Sequence, residues 1–164
     1  MPLPYYVSKK QAGDRMSIRK PTRIPGYDYS TPNYYFVTIC TDKKVCLFGN
    51  SEKLNEFGKI AERCLCAVPH HFPLARIDKY VIMPNHVHAI VVIESGKDTP
   101  SLNTVIGSYK SAVSKQCHEI NVDIKVWQRS YHDHIIRDQK RYELIWSYID
   151  TNWYRWKDDK FYVE

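Results

Sequence analysis

A chain of 164 residues with 43% hydrophobic and 26% charged residues is long enough for one compact domain and has ordinary globular composition, which excludes a disordered or fibrous chain. Its 24 Lys plus Arg against 18 Asp plus Glu give a formal charge of +6, which favours a polyanionic partner without requiring one. The five cysteines spell no zinc-ribbon or redox pair, and the longest unbroken apolar run, Ala89 to Ile93, is far shorter than the roughly 20 residues of a membrane span. With no basic-then-apolar leader after Met1, the cytoplasm is the expected location.

Residues 1–30 are polar and basic, with Arg15, Arg19, Lys20 and Arg23 set among Pro21 and Pro25. They read as an arm of the kind that lies on phosphates, although charge alone fits a solvated leader equally well. Residues 31–164 are expected to form a single domain. From Tyr34, YYFVTIC predicts a strand that ends at the polar turn 41–44. Leu54, Phe57, Ile60, Ala61, Cys64, Leu65 and Val68 then recur at the spacing of one buried helical stripe. His70-His71 reads as loop. Two apolar stretches between Ala75 and Glu94, separated by Pro84-Asn85, predict a hairpin in the middle of the sheet. A second helix follows on Leu102, Val105, Ile106, Tyr109, Val113, Cys117 and Ile120, then an extended stretch over 126–136. Asp138 caps a third helix carrying Tyr142, Ile145, Trp146, Ile149 and Trp153. This order predicts an α+β fold, a ferredoxin-like antiparallel sheet with helices packed on one face.

The chemistry-bearing motif is Met83-Pro84-Asn85-His86-Val87-His88. In a strand, residues two apart point the same way, so His86 and His88 share a face while Val87 takes the other. Two imidazoles so placed are metal-ligand material, or else a structural pair hydrogen-bonded at a sheet edge. An oxygen ligand is needed before magnesium becomes credible. Asn152 offers an amide oxygen and lies four residues after Tyr148, so a helix stacks both on one face. Most tyrosines at helical spacing are packing residues, but Ile145, Trp146 and Ile149 already supply the buried stripe, which leaves Tyr148 and Asn152 together at its edge. His132-Asp133-His134 is a second one-apart pair, read as structural because its middle residue is charged and expected not to be buried.

Several segments in order, SIRKPTRIPGYDYSTPNYYFVTICT, YVIMPNHVHAIVVIE, IGSYKSAVSK, VWQRSYHDHIIRD and YELIWSYIDTN, resemble the REP-associated tyrosine transposases of the His-hydrophobic-His (HUH) nuclease superfamily. The resemblance implies the HUH endonuclease fold, a divalent ion (Mg²⁺ or Mn²⁺) on His86, His88 and Asn152, and Tyr148 as nucleophile. It also implies a single-stranded DNA substrate bearing a hairpin, cleaved and rejoined through a 5′-phosphotyrosine, and a place near the nucleoid. Lys110 and Arg129 fall in matched blocks and, with Arg19 and Arg23 of the arm, are candidate DNA contacts. A homodimer is the assembly related transposases suggest. Where the family usually has proline after the asparagine, this chain has Trp153, which lets the helix run on. The rival readings are a catalytically inactive single-stranded nucleic-acid-binding protein and a metal-dependent hydrolase with no use for Tyr148.

Overall fold

The computed structural model describes residues 23–164. Four strands, β1 (Asn33–Cys40), β2 (Ala75–Met83), β3 (His86–Ile93) and β4 (His132–Ile136), form one antiparallel sheet in the order β2-β3-β1-β4. The helices are α1 (Glu56–Cys66), α2 (Val68–His71), α3 (Leu102–Ile120) and α4 (Gln139–Thr151), and a 3-10 stretch over Trp153–Asp158 follows α4. His70 and His71 therefore close the short helix α2 instead of lying in a loop. Among the described residues, no helix is long and apolar enough to cross a membrane.

Strand alternation divides the apolar residues into two cores. Val87, Ala89, Val91 and Ile93 of β3 join Tyr35, Val37 and Ile39 of β1 under α1 and α3. The alternate residues Ile90 and Val92, with Cys40, Val81, Met83 and Ile136, pack under Ile145 and Ile149 of α4 and under Trp156 and Phe161. Helices thus cover both faces, not one, because β3 is apolar on both sides and each side must leave water. That double cover buries every residue of β3.

Polar ties set α4 on its face. Tyr142 donates to Asp78 Oδ2 at 2.6 Å, and Arg76 pairs with the same carboxylate. Lys79 pairs with Asp150 while its Nζ sits 3.7 Å from the Trp146 ring centroid. Asp138 caps α4 by accepting from Arg141 N.

One close approach in α1 and one of these ties each carry a prediction. A Cβ at Gly58 would lie 2.2 Å from the Phe48 carbonyl oxygen, which accepts from Asn55 N while Phe48 N donates to Pro84 O. Gly58→Ala should therefore destabilise the fold by about 1–3 kcal/mol, because the backbone clash outweighs the roughly 1 kcal/mol that alanine gains in a helix. Thermal melting would check it, with a midpoint drop of several degrees expected. The second concerns acid. Burial works to raise the Asp78 carboxyl, but Tyr142 and Arg76 outweigh it and hold the group below its usual value. Its contribution is complete above the unfolded value near 4 and fades as pH falls through the folded value. Denaturant titrations of wild type and Asp78→Asn should show the full wild-type advantage above about pH 4, shrinking below it until the two converge beneath the folded value.

Candidate active site

His86 and His88 open β3, opposite Cys40 and Thr38 of β1, with ring centroids 4.5 Å apart and Val87 in the other core. Both are fully buried, so an uncompensated charge there is costly. Burial pushes His86 down to about 4, against the pull of Asp159, and pushes His88 well down, helped by the neighbouring His86.

Neighbours orient both rings. The Asn85 amide nitrogen donates to Lys44 O at 3.1 Å and Phe161 O at 2.7 Å, so its oxygen is the atom left to face His86 Nδ1 at 2.8 Å. Nδ1 must then carry the proton, and Nε2 presents a lone pair. Thr38 Oγ1 lies 2.8 Å from His88 Nδ1 and can hold that ring in the same tautomer.

Where the lone pair points is informative. His86 Nε2 faces Asp159 Oδ2 at 3.8 Å, and with a neutral imidazole this is two acceptors turned towards each other rather than an ion pair. His86 Nε2 and Asn152 Oδ1 are, among the described residues, the buried side-chain polar atoms without a hydrogen-bond partner. Ligand atoms of His86, His88 and Asp159 lie within 4.8 Å of one another. Imidazole nitrogens and a carboxylate held this close suit a divalent cation, and the orphaned amide oxygen belongs to a residue that lines one pocket with Asp159.

Tyr148 reaches the same point from α4. Its hydroxyl is 3.2 Å from His88 Nε2 and 3.5 Å from Asp159 Oδ2, and the side chain is half-exposed. Burial and the Asp159 carboxylate raise its pKa, while the Asn152 side chain works the other way. Tyr148, Asn152, Arg155, Asp158 and Asp159 line a pocket of about 160 Å³. Asn152 caps the C-terminal end of α4 one turn after Tyr148, so the α-helix stops before Trp153 instead of running on through it. After it the chain runs on as a 3-10 stretch kinked at Arg155, which returns Trp156 and Phe161 to the core and Asp159 to the histidines.

No protein-family model matches the sequence. The chain is 34% identical over 169 residues to an uncharacterized protein of Haemophilus influenzae, covering 89% of this chain and 94% of the relative. It is 23% identical over 133 residues to another protein of that organism, provisionally named a REP-associated tyrosine transposase, covering 76% of this chain and 72% of the relative. A solved REP-associated tyrosine transposase bound to a REP hairpin has the same fold, with a TM-score of 0.63 and 20% identity over 79% of this chain and 71% of that one. The chain resembles the REP-associated tyrosine transposases in sequence and in fold. A provisionally named transposase from Deinococcus radiodurans R1 shares the fold at a TM-score of 0.52 and 15% identity, over 79% of this chain and 95% of that one.

His86, His88, Tyr148 and Asn152 gather at one site, whereas the basic residues named from sequence lie elsewhere or are engaged. Arg19 lies outside the described residues. Arg23 donates to Asp133 Oδ1 at 2.6 Å and stacks on Tyr131 at 3.7 Å. Asp133, only 2% exposed, is therefore a buried partner of the arm rather than an open charge between His132 and His134. Lys110 donates to the carbonyls of Gln128 and Arg129, and the Arg129 side chain is exposed. Asp159, Asn85 and Thr38 escaped the sequence reading. The returning apolar positions Trp153, Trp156 and Phe161 were the available signal that the segment holding Asp159 packs back on the fold.

Asn85→Leu would strand the Lys44 and Phe161 carbonyls and the His86 Nδ1 proton together. A loss of about 2–4 kcal/mol in denaturant unfolding is expected, more than one ordinary hydrogen bond contributes. A loss below about 1 kcal/mol would mean that water replaces the amide.

Proposed function

We propose that the chain is a transposase that cleaves and rejoins single-stranded DNA beside a hairpin, with Tyr148 as covalent nucleophile. The observation that carries this reading is the Tyr148 hydroxyl 3.2 Å from His88 Nε2, at the edge of a cluster whose buried acceptor atoms lack partners. A phosphodiester laid against that hydroxyl sits at the pocket that Tyr148, Asn152 and Asp159 line. The solved relative bound to a REP hairpin supports a hairpin-bearing strand as the substrate.

In the cleavage step, Tyr148 Oη forms a bond to the scissile phosphorus and the bond from phosphorus to the 3′ oxygen breaks. Tyr148 gives up its phenolic proton as Oη bonds phosphorus, the leaving oxygen takes one up and becomes a free 3′-hydroxyl, and the 5′ end stays on Tyr148. Because one phosphodiester replaces another, attack by a new 3′-hydroxyl reseals the strand and frees Tyr148. The raised pKa of Tyr148 makes the neutral phenol the resting form and a poor nucleophile. His86, His88 and Asn152, joined by Asp159, would hold Mg²⁺ or Mn²⁺, and this ion supplies charge withdrawal from the phosphate and eases phenol ionisation. The residues of the chain contribute position: β3 fixes the imidazoles, Asn85 and Thr38 set their tautomers, and α4 presents the hydroxyl.

The test is covalent capture. Labelled hairpin DNAs with unpaired flanks, incubated with Mn²⁺ or Mg²⁺ and run on a denaturing protein gel, should give a protein–DNA band that EDTA and Tyr148→Phe abolish. His86→Ala should cut its rate of formation at least about 100-fold, the scale seen when one transition-state stabiliser is removed. Binding without a band from wild type would favour the inactive nucleic-acid-binding protein. Metal-dependent hydrolysis surviving Tyr148→Phe would favour a hydrolase.

A further inference from the structure

We propose that Lys44 and Lys160 form a two-pronged grip on the phosphate backbone of the single strand, beside the phosphate that Tyr148 attacks. This rests on the reading of the site given above. Lys43 and Lys44, at φ 51° and 57°, are the non-glycine residues with positive φ among the described residues, and they are consecutive. Glycine would adopt that backbone without steric cost, and lysine does not. The turn is kept in place by its surroundings. Lys44 N donates to Thr41 O at 3.1 Å, Lys44 O accepts from the buried Asn85 amide at 3.1 Å, and Thr41 Oγ1 donates to Val45 O at 2.7 Å. Strain held this firmly at the rim of a site points to a use for the side chain it aims.

The aim is towards the histidines. Lys44 Nζ lies 5.2 Å from the Phe161 ring centroid and Lys160 Nζ lies 4.9 Å from it. The Phe161 ring in turn packs 4.6 Å from the His86 ring and 6.0 Å from that of His88. Two ammonium groups, one from the turn after β1 and one from the C-terminal segment, thus each lie beside the one ring that packs against both histidines. Both lysines are exposed, and neither belongs to an ion pair among the described residues, unlike Lys79 and Lys125. An ammonium is a compact point charge with three donors, suited to a phosphate whatever base it carries. The pair therefore gives affinity independent of sequence, next to the bond that is broken.

The test is the salt dependence of binding, in EDTA so that no cleavage intervenes. Anisotropy of a labelled hairpin DNA with an unpaired flank is measured across a salt series for wild type, Lys44→Ala, Lys160→Ala, the double variant and Lys97→Ala. Lys97 is an exposed lysine beyond the far end of β3 and serves as control. Each single substitution should lower the magnitude of the log–log salt slope by about 0.7, and the double by about 1.4, as expected for lost single-strand phosphate contacts. Lys44→Arg should restore the slope. Lys44→Gly should lose it while melting no lower than wild type, which separates lost charge from lost fold. Slopes equal to wild type in both single variants, or an equal change in Lys97→Ala, overturn the proposal. Reduced slopes in a protein that forms no tyrosine adduct would sink the nicking reading and leave this grip standing.

Discussion

The site depends on one saturated side chain. Asn85 is fully buried at the turn between β2 and β3, and each of its side-chain hydrogen-bonding groups is committed. Its amide joins the turn after β1, through Lys44, to the C-terminal segment, through Phe161, and orients His86 between them. Its backbone oxygen accepts from the Thr41 nitrogen. In a low-dielectric interior a missed partner costs more than a made one contributes, so this arrangement tolerates few alternatives. Three segments far apart in sequence are thereby fixed around one imidazole nitrogen.

That constraint explains why buried histidines are sustained at all. An imidazole surrounded by apolar residues is costly when charged and only tolerable when neutral and hydrogen-bonded. Both histidines are driven neutral, and both have Nδ1 satisfied, by Asn85 and Thr38. What is left over is Nε2, aimed at Asp159 from one ring and at Tyr148 from the other. The two-sided apolar cover of β3 supports this cost, since each fully buried aliphatic side chain contributes on the order of 1.5–3 kcal/mol before chain entropy is counted.

How much of this was legible in the sequence follows from the range of the signals. Alternation in HVHAIVVI placed both histidines on one face, and helical spacing placed Tyr148 with Asn152, because strand and helix periods are local. The Asp138 cap was legible for the same reason. The apolar content of both faces of β3 was visible too, yet the expectation of helices on one face overlooked that Ile90 and Val92 also need cover. Asp159 was not legible, because a 3-10 stretch kinked at Arg155 has no period to carry a residue's direction across it. Asn85 looked like a turn former, and its second role depends on carbonyls 41 and 76 residues away. Arg23 looked like a free cation for the same reason: its partner Asp133 lies 110 residues on.

The rule-breaking features are not scattered. The consecutive left-handed lysines, the orphaned His86 nitrogen and the orphaned Asn152 oxygen gather around the start of β3, where the turn after β1 and the end of α4 also meet. The opposite end of β3, at Ile93, is ordinary by comparison: it pairs with Asn33 and Ala75 and packs into an apolar core. In a sequence whose local preferences otherwise agree with its fold, departures confined to one end are better explained by a ligand than by imperfect packing. Imperfect packing would leave apolar voids. Among the described residues these departures are instead acceptors without donors and cations without counter-ions, which is what a site awaiting a ligand leaves open.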